Sequence, residues 1–207
     1  GSAFDYKGAP IPIVRLNWST VFCFEWGYKS AYTTQAFSVK DAIALGAQMV
    51  LISLTLKTGD EMNDLKNVEV YAKLCNEARE YGIPVIGECF PTESDDISEE
   101  EMHDRVLRGT RIIAEMGADV IKTFYTHKFK EVVQGCPIPI LGLGGHTTPD
   151  PIDSLQLAAD EIAAGCKGVV FGRNALQREN PIMYQRALNE VVKRGMSPAD
   201  AVEKFKL

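Results

Sequence analysis

The chain has 207 residues, 45% of them hydrophobic and 24% charged, with a formal net charge of −6, which fits one globular domain around one core. Acidic residues exceed basic ones without massing in tails, which argues against a nucleic-acid partner. No apolar run reaches the ~18 residues of a membrane span; the longest, residues 49–56, already holds Ser53 and Thr55.

Gly1-Ser2 reads as a cleavage scar of recombinant expression and is left out of the fold argument. Cys23, Cys75, Cys89, Cys136 and Cys166 form no CxxC pair, and His103, His127 and His146 have no zinc-like spacing. The expectation is a reduced, cytoplasmic protein with small buried thiols and no structural metal.

In chain order, the first predicted element is a strand over 11–16. An aromatic-rich connection follows through Trp18, Phe22, Phe24, Trp26, Tyr28 and Tyr32. It is longer than the usual βα loop and is expected to be a lid or a subunit contact. Ser38 with Asp41 forms a capping box for a helix over 39–45, and a strand follows over 49–55. Val68, Tyr71, Ala72, Cys75 and Ala78 form one helical stripe before a strand over 84–89. Ser98 with Glu101 opens a helix with Met102, Val106, Ile113 and Met116 inside, ahead of a strand over 119–125.

Further strands are predicted over 138–143 and 168–172, with a helix between them on the stripe Ile152, Leu155, Ala159 and Ile162. Pro181 then opens a helix with Ala187 and Val191 inside, and Ser197-Pro198 starts a terminal one. Gly46, Gly82, Gly117, Gly135 and Gly165 each stand just before a strand, where a positive φ would close the preceding helix. Helices alternating with apolar strands mean parallel βαβ units. An open doubly wound sheet and most of a (β/α)8 TIM barrel both fit six such units. The dinucleotide fingerprint fails, because the third glycine of GxGxxG would fall on Thr147.

Three features could carry chemistry. Lys122 stands inside the apolar run Val120-Ile121-Lys122-Thr123-Phe124-Tyr125. A buried lysine would have a lowered pKa and serve as an amine nucleophile; a lysine that snorkels to water or pairs with a carboxylate would not. Gly144-Gly145-His146 after one strand and Gly172-Arg173 after the next could cradle a phosphate on backbone N–H groups, or could be plain turns. Glu88, at the C-terminal end of its strand, is a candidate acid–base group, as is Asp5; Asp119 belongs to the opposite rim and is expected to be solvated. The acids Asp95, Asp96, Glu99, Glu100 and Glu101 read as a solvated loop and helix N-terminus.

The stretch Ala114-Glu115-Met116-Gly117-Ala118-Asp119-Val120-Ile121-Lys122-Thr123-Phe124-Tyr125, with Gly144-Gly145 and Gly172-Arg173-Asn174-Ala175-Leu176-Gln177 downstream, resembles the archaeal-type class I fructose-bisphosphate aldolases. Their relatives include the aminodideoxyheptulosonate synthases and the autoinducer-processing thiolase of phosphorylated hydroxypentanedione. The resemblance implies a TIM barrel over one domain, 1–207, with the six strands as the barrel's third to eighth. Lys122 would be the Schiff-base lysine, and Gly144, Gly145, Gly172 and Arg173 would line the phosphate site, with His146 where the family often has lysine.

The family's first-strand aspartate has no match before Pro10. The expectation is that roughly 50 further N-terminal residues supply two strands and an acidic group, or that residues 3–10, the 18–32 connection or a neighbouring subunit close the barrel. The family's acid–base tyrosine falls on Phe90, which has no titratable proton; Glu88 could replace it. The implied function is a class I aldolase-type lyase acting on a phosphorylated keto substrate, without a cofactor and as a homo-oligomer. The alternatives are a thiolase or acyltransferase using the same lysine, with coenzyme A left open, and a catalytically impaired phosphate-binding barrel.

Overall fold

The computed structural model describes residues 10–92 and 97–207, so Asp5, Asp95, Asp96 and residues 3–9 lie outside the described part. All six predicted βα strands are present: β1 (Ile13–Arg15), β4 (Met49–Leu54), β5 (Val85–Cys89), β6 (Val120–Phe124), β7 (Ile140–Leu143) and β8 (Gly168–Val170). They form one sheet in the order β1-β4-β5-β6-β7-β8, the succession of a barrel's consecutive strands and not the reversed order of a doubly wound sheet. The chain thus supplies six strands of a TIM-type barrel. Its contacts gather into two compact units, Gly1–Ile121 and Lys122–Leu207, divided within β6.

In the first unit β1 pairs parallel with β4, and β4 with β5. Helix α1 (Val39–Ala44) carries the predicted capping box on Ser38 and Asp41. Helix α2 (Glu61–Tyr81) is capped by Asp60 and closed by left-handed Gly82; α3 (Glu99–Glu115) is capped by Ser98. The sheet's helix-covered face carries Val50, Ile52 and Leu54, with Val85 and Gly87 beside them. A side chain on Gly87 would come within 2.6 Å of the Tyr71 hydroxyl and 2.9 Å of Ala118, so only glycine lets α2 lie this close.

Two expectations for this unit need correction. The 18–32 connection is not one open loop: β2 (Asn17–Ser19) and β3 (Thr33–Gln35) pair antiparallel, with short 3₁₀ turns over Thr20–Phe22 and Phe24–Trp26 between them. The buried face of α2 is also turned from the predicted stripe. Val70 and Leu74 are buried while Val68 and Ala72 are half-buried, because Asn63 and Asn67 point inward and donate to the carbonyls of Ser30, Ala31 and Thr55.

In the second unit β7 and β8 pair parallel, with Leu143 opposite Val170. Helices α4 (Phe129–Gly135), α5 (Pro151–Ala164), α6 (Arg173–Leu176), α7 (Pro181–Arg194) and α8 (Pro198–Phe205) follow the chain. Leu155, Ala175, Tyr184, Ala187, Val191 and Ala201 form a core shared by α5, α6, α7 and α8. Gly165 closes α5 in the left-handed region, as Gly46, Gly82 and Gly117 do at their junctions; Gly135 does not, and α4 runs through it to an extended Cys136. Cys75, Cys89, Cys136 and Cys166 are buried, Cys23 is half-buried, and none of the five is in a disulfide. Among the described residues no helix is long and apolar enough to cross a membrane.

Candidate active site

Parallel pairing sets which side chains share a face. Arg15 pairs with Leu51, Leu51 with Ile86, and Ser53 with Glu88. Because side chains alternate along a strand, Arg15, Ser53 and Glu88 stand together on the face opposite the one α2 and α3 cover, at the C-terminal strand ends. These ends carry the chemistry in barrels of this type.

Glu88 is 1% exposed. Its Oε2 lies 2.7 Å from Arg15 Nη2 and accepts the Ser53 hydroxyl, while Arg15 Nη1 donates to Ser53 Oγ. Asn17 fixes the Ser53 backbone from both sides: its Nδ2 donates to the Ser53 carbonyl at 2.7 Å and its Oδ1 accepts the Ser53 N–H at 2.9 Å. The Arg15 guanidinium lies 4.3 Å over the Phe22 ring, and Phe22 meets Phe90 edge-on at 5.6 Å. Phe90 is thus a packing partner. Arg15, Ser53 and Asn17 were missed from the sequence, where an arginine at a strand end reads as a surface residue.

Lys122 is half-buried. Burial alternates along β6, with Ile121 and Thr123 fully inside and Val120, Lys122 and Phe124 on the more open face. The lysine therefore does not sit in a continuously buried strand. Asp119 is exposed at the strand's start, as expected, and also accepts the Val85 N–H at 2.8 Å.

The two glycine loops of the second unit are tied to each other. Asn174 Nδ2 donates to the carbonyls of Gly144 at 2.8 Å and His146 at 2.7 Å, while its Oδ1 accepts the Thr148 N–H at 3.0 Å. Arg173 Nη2 donates to the Gly145 carbonyl at 3.0 Å. A side chain on Gly144 would approach the Phe171 ring to 2.7 Å, and Gly145 has φ +57°. Carbonyls drawn toward Asn174 and Arg173 leave the loop backbone in one fixed conformation.

Arg178 extends the clamp, donating to the Thr148 carbonyl at 2.7 Å, and to Ser154 Oγ and Asn174 Oδ1 at 3.1 Å each. His146 and Gly172 are exposed beside these bonds. Asn174 and Arg178 carry no sequence signal beyond following Gly172-Arg173.

Behind β7 lies a group the sequence did not reveal. Glu161 of α5 is fully buried, and neither carboxyl oxygen has a hydrogen-bond partner. Its carboxyl occupies the space a Gly142 side chain would fill. Desolvation, then the charge of Asp160, pushes its pKa up to about 9. Burial and then the Glu161 charge push the Cys166 thiol up to about 12, and burial also raises Tyr125.

A parallel βα succession with a lysine on the fourth strand of its sheet, β6, and paired glycine loops after the next two strands defines a barrel enzyme of the aldolase class. The model of the DeoC/LacD family of aldolases matches residues 5–178, and the chain belongs to that family of carbon–carbon lyases. An uncharacterized aldolase of Saccharolobus solfataricus is 32% identical over 98% of this chain and 76% of its own length. The 2-amino-3,7-dideoxy-D-threo-hept-6-ulosonate synthase 1 of Archaeoglobus fulgidus is 32% identical over 80% of this chain, which spans 61% of it, less than two thirds. Among solved structures, a Schiff-base-forming fructose-1,6-bisphosphate aldolase aligns with TM-score 0.79 at 29% identity, over 92% of this chain and 75% of that one. An archaeal fructose-1,6-bisphosphate aldolase with its catalytic lysine covalently bound to a carbinolamine intermediate aligns with TM-score 0.78 at 28% identity, over 91% and 73%.

Proposed function

We propose that the protein is a class I aldolase-type lyase that makes or breaks a C–C bond in a phosphorylated ketose or related keto substrate, with Lys122 as the amine. The Lys122 Nζ adds to the ketone carbon, and loss of water leaves an iminium. Electrons of the neighbouring C–C bond then flow into the iminium, releasing an aldehyde and leaving an enamine, while a base takes the hydroxyl proton of the cleaved carbon. One observation carries this reading: Lys122 stands on the more open face of β6 in a chain whose structural neighbours include an aldolase trapped on its catalytic lysine.

The loops at Gly144-Gly145 and Gly172-Arg173 would hold the substrate phosphate on backbone N–H groups, with Arg173 and His146 at the rim. The clamp by Asn174 supports this by fixing both loops before a ligand arrives. Catalysis needs no cofactor in this scheme. The reading extends to a cytoplasmic homo-oligomer.

Phe90 favours a second reading. With an apolar ring where the family has tyrosine, acyl transfer from a phosphorylated diketone by the same lysine places less demand on a proton donor at that position. Incubation with candidate ketones and borohydride should add mass to the peptide holding Lys122, and Lys122→Arg should abolish it. Labelling on a different lysine, or no labelling with any phosphorylated ketone, overturns the assignment.

A further inference from the structure

We propose that Arg15 is the reading group of an anion site contained within the first unit, taking a small carboxylate or phosphate. An arginine carries five N–H donors in a planar fork. One from Nη1 goes to Ser53 and one from Nη2 to Glu88. Among the described residues the Nε–H and the second hydrogen of each terminal nitrogen meet no acceptor.

The guanidinium is held on one edge and one face. Glu88 and Ser53 grip its inner edge, Phe22 covers one face, and Asn17 locks the backbone that presents Ser53. Of the two charged partners, Glu88 is out of reach at 1% exposure, while the Arg15 side chain is 34% exposed. This inverts the expectation from sequence: Glu88 aims the arginine from behind, and Arg15 meets the ligand.

Position and surroundings argue for recognition. The outward donors stand at the C-terminal ends of parallel strands, on the face that α2 and α3 leave open. The Phe22–Phe90 pair packs an apolar surface beside them, which lowers the local dielectric and strengthens a directed hydrogen bond to an oxyanion. The conformational freedom that a flexible arginine would lose on binding is already lost in the free protein. Glu88 offsets the charge of Arg15, so the ligand is held by the direction of paired donors more than by net charge. The site should therefore prefer oxyanions that accept two parallel bonds over a spherical anion.

The arginine Nε–H resonances of ¹⁵N-labelled protein test this. Titration with acetate and with inorganic phosphate should move the Arg15 signal saturably, and chloride at matched ionic strength should not; the larger of the two oxyanion responses names the ligand class. Arg15→Lys keeps a cation on Glu88 but loses the fork, and should weaken calorimetric binding of that oxyanion at least tenfold. The Arg173→Gln background removes a main cationic contact at the glycine loops.

If Arg15→Lys folds poorly, the double variant Arg15→Gln/Glu88→Gln keeps a neutral hydrogen-bonded pair and should likewise fail to bind. An Arg15 signal indifferent to both oxyanions, or unchanged affinity in Arg15→Lys, overturns the proposal. Lys122→Arg should retain the Arg15 response, so failure of the Schiff-base reading and failure of this one are separable.

Discussion

Glu88 and Glu161 are both withdrawn from water, at 1% and 0% exposure, yet the first and second units treat them in opposite ways. Glu88 has an arginine at 2.7 Å and a serine hydroxyl on the same oxygen. Glu161 has no hydrogen-bond partner on either oxygen and meets the nearby charge of Asp160. A buried carboxylate is tolerated when donors replace the water it lost, and a carboxyl without donors keeps its proton instead. The first glutamate is therefore a charged group that organises its neighbours. The second is, at neutral pH, a neutral wedge under β7.

The largest expected difference is one of sign. Arg15→Leu removes the guanidinium that lies 2.7 Å from the buried Glu88 carboxylate and should destabilise the first unit by about 3–5 kcal/mol. Glu161→Leu removes an unsatisfied acid of similar size and should stabilise by about 1–3 kcal/mol. Urea unfolding of the two variants measures both. Equal signs would mean that the buried acids are not handled differently.

The second difference is in pH dependence. The Glu161 carboxyl stands at about 9 in the folded protein against a reference of 4.5. Below 4.5 the folded and unfolded chains both hold the proton, and its contribution to stability is fully present. Between 4.5 and about 9 the unfolded chain has released a proton that the folded one retains, so stability falls as pH rises, and the contribution is gone once pH passes the folded value. The slope approaches about 1.4 kcal/mol per pH unit within that window. Glu161→Gln should flatten it by about 2–3 kcal/mol between pH 5 and 7. Cys166 and Tyr125, the titrating neighbours with raised values, ionise above this range and do not mask the effect. A wild-type curve parallel to that of Glu161→Gln would show that Glu161 ionises normally.

The same two residues show how much of the molecule was legible beforehand. Six strands could be read because each is a short apolar run bounded by helix-closing signals. The β2–β3 ribbon could not, because Asn17-Trp18-Ser19 and Thr33-Thr34-Gln35 are too short and polar to show a period. Helix faces were misplaced where polar residues face inward. In α5 the predicted stripe of Ile152, Leu155, Ala159 and Ile162 gives way to a buried line of Ser154, Leu155, Ala158 and Glu161. An apolar pattern cannot reveal a buried glutamate, nor the asparagines that turn α2.

At the candidate site, glycines and the odd lysine announced themselves by violating their surroundings. Arg15, Ser53 and Asn174 did not, since their significance comes from partners more than 25 positions away. Glu88 was noticed for its place on a strand, but its burial behind Arg15 depends on the register of three strands. That register is invisible until β1, β4 and β5 are laid side by side.

The smallest expected effect tests the wedge itself. Because a Gly142 side chain would overlap the Glu161 carboxyl, Gly142→Ala overpacks the space between β7 and α5 and should cost about 1–3 kcal/mol. Glu161→Ala alone opens a gap beneath Gly142, partly offset by removal of the unpaired acid. Together the two substitutions put a methyl group where the carboxyl stood, so the double variant should be more stable than the sum of the single changes predicts, by about 1 kcal/mol or more. Thermal or urea unfolding of the four proteins in the cycle gives the coupling directly. Strict additivity would show that Glu161 can leave its place without strain, and the contrast with the firmly gripped Glu88 would then rest on hydrogen bonding alone and not on shape.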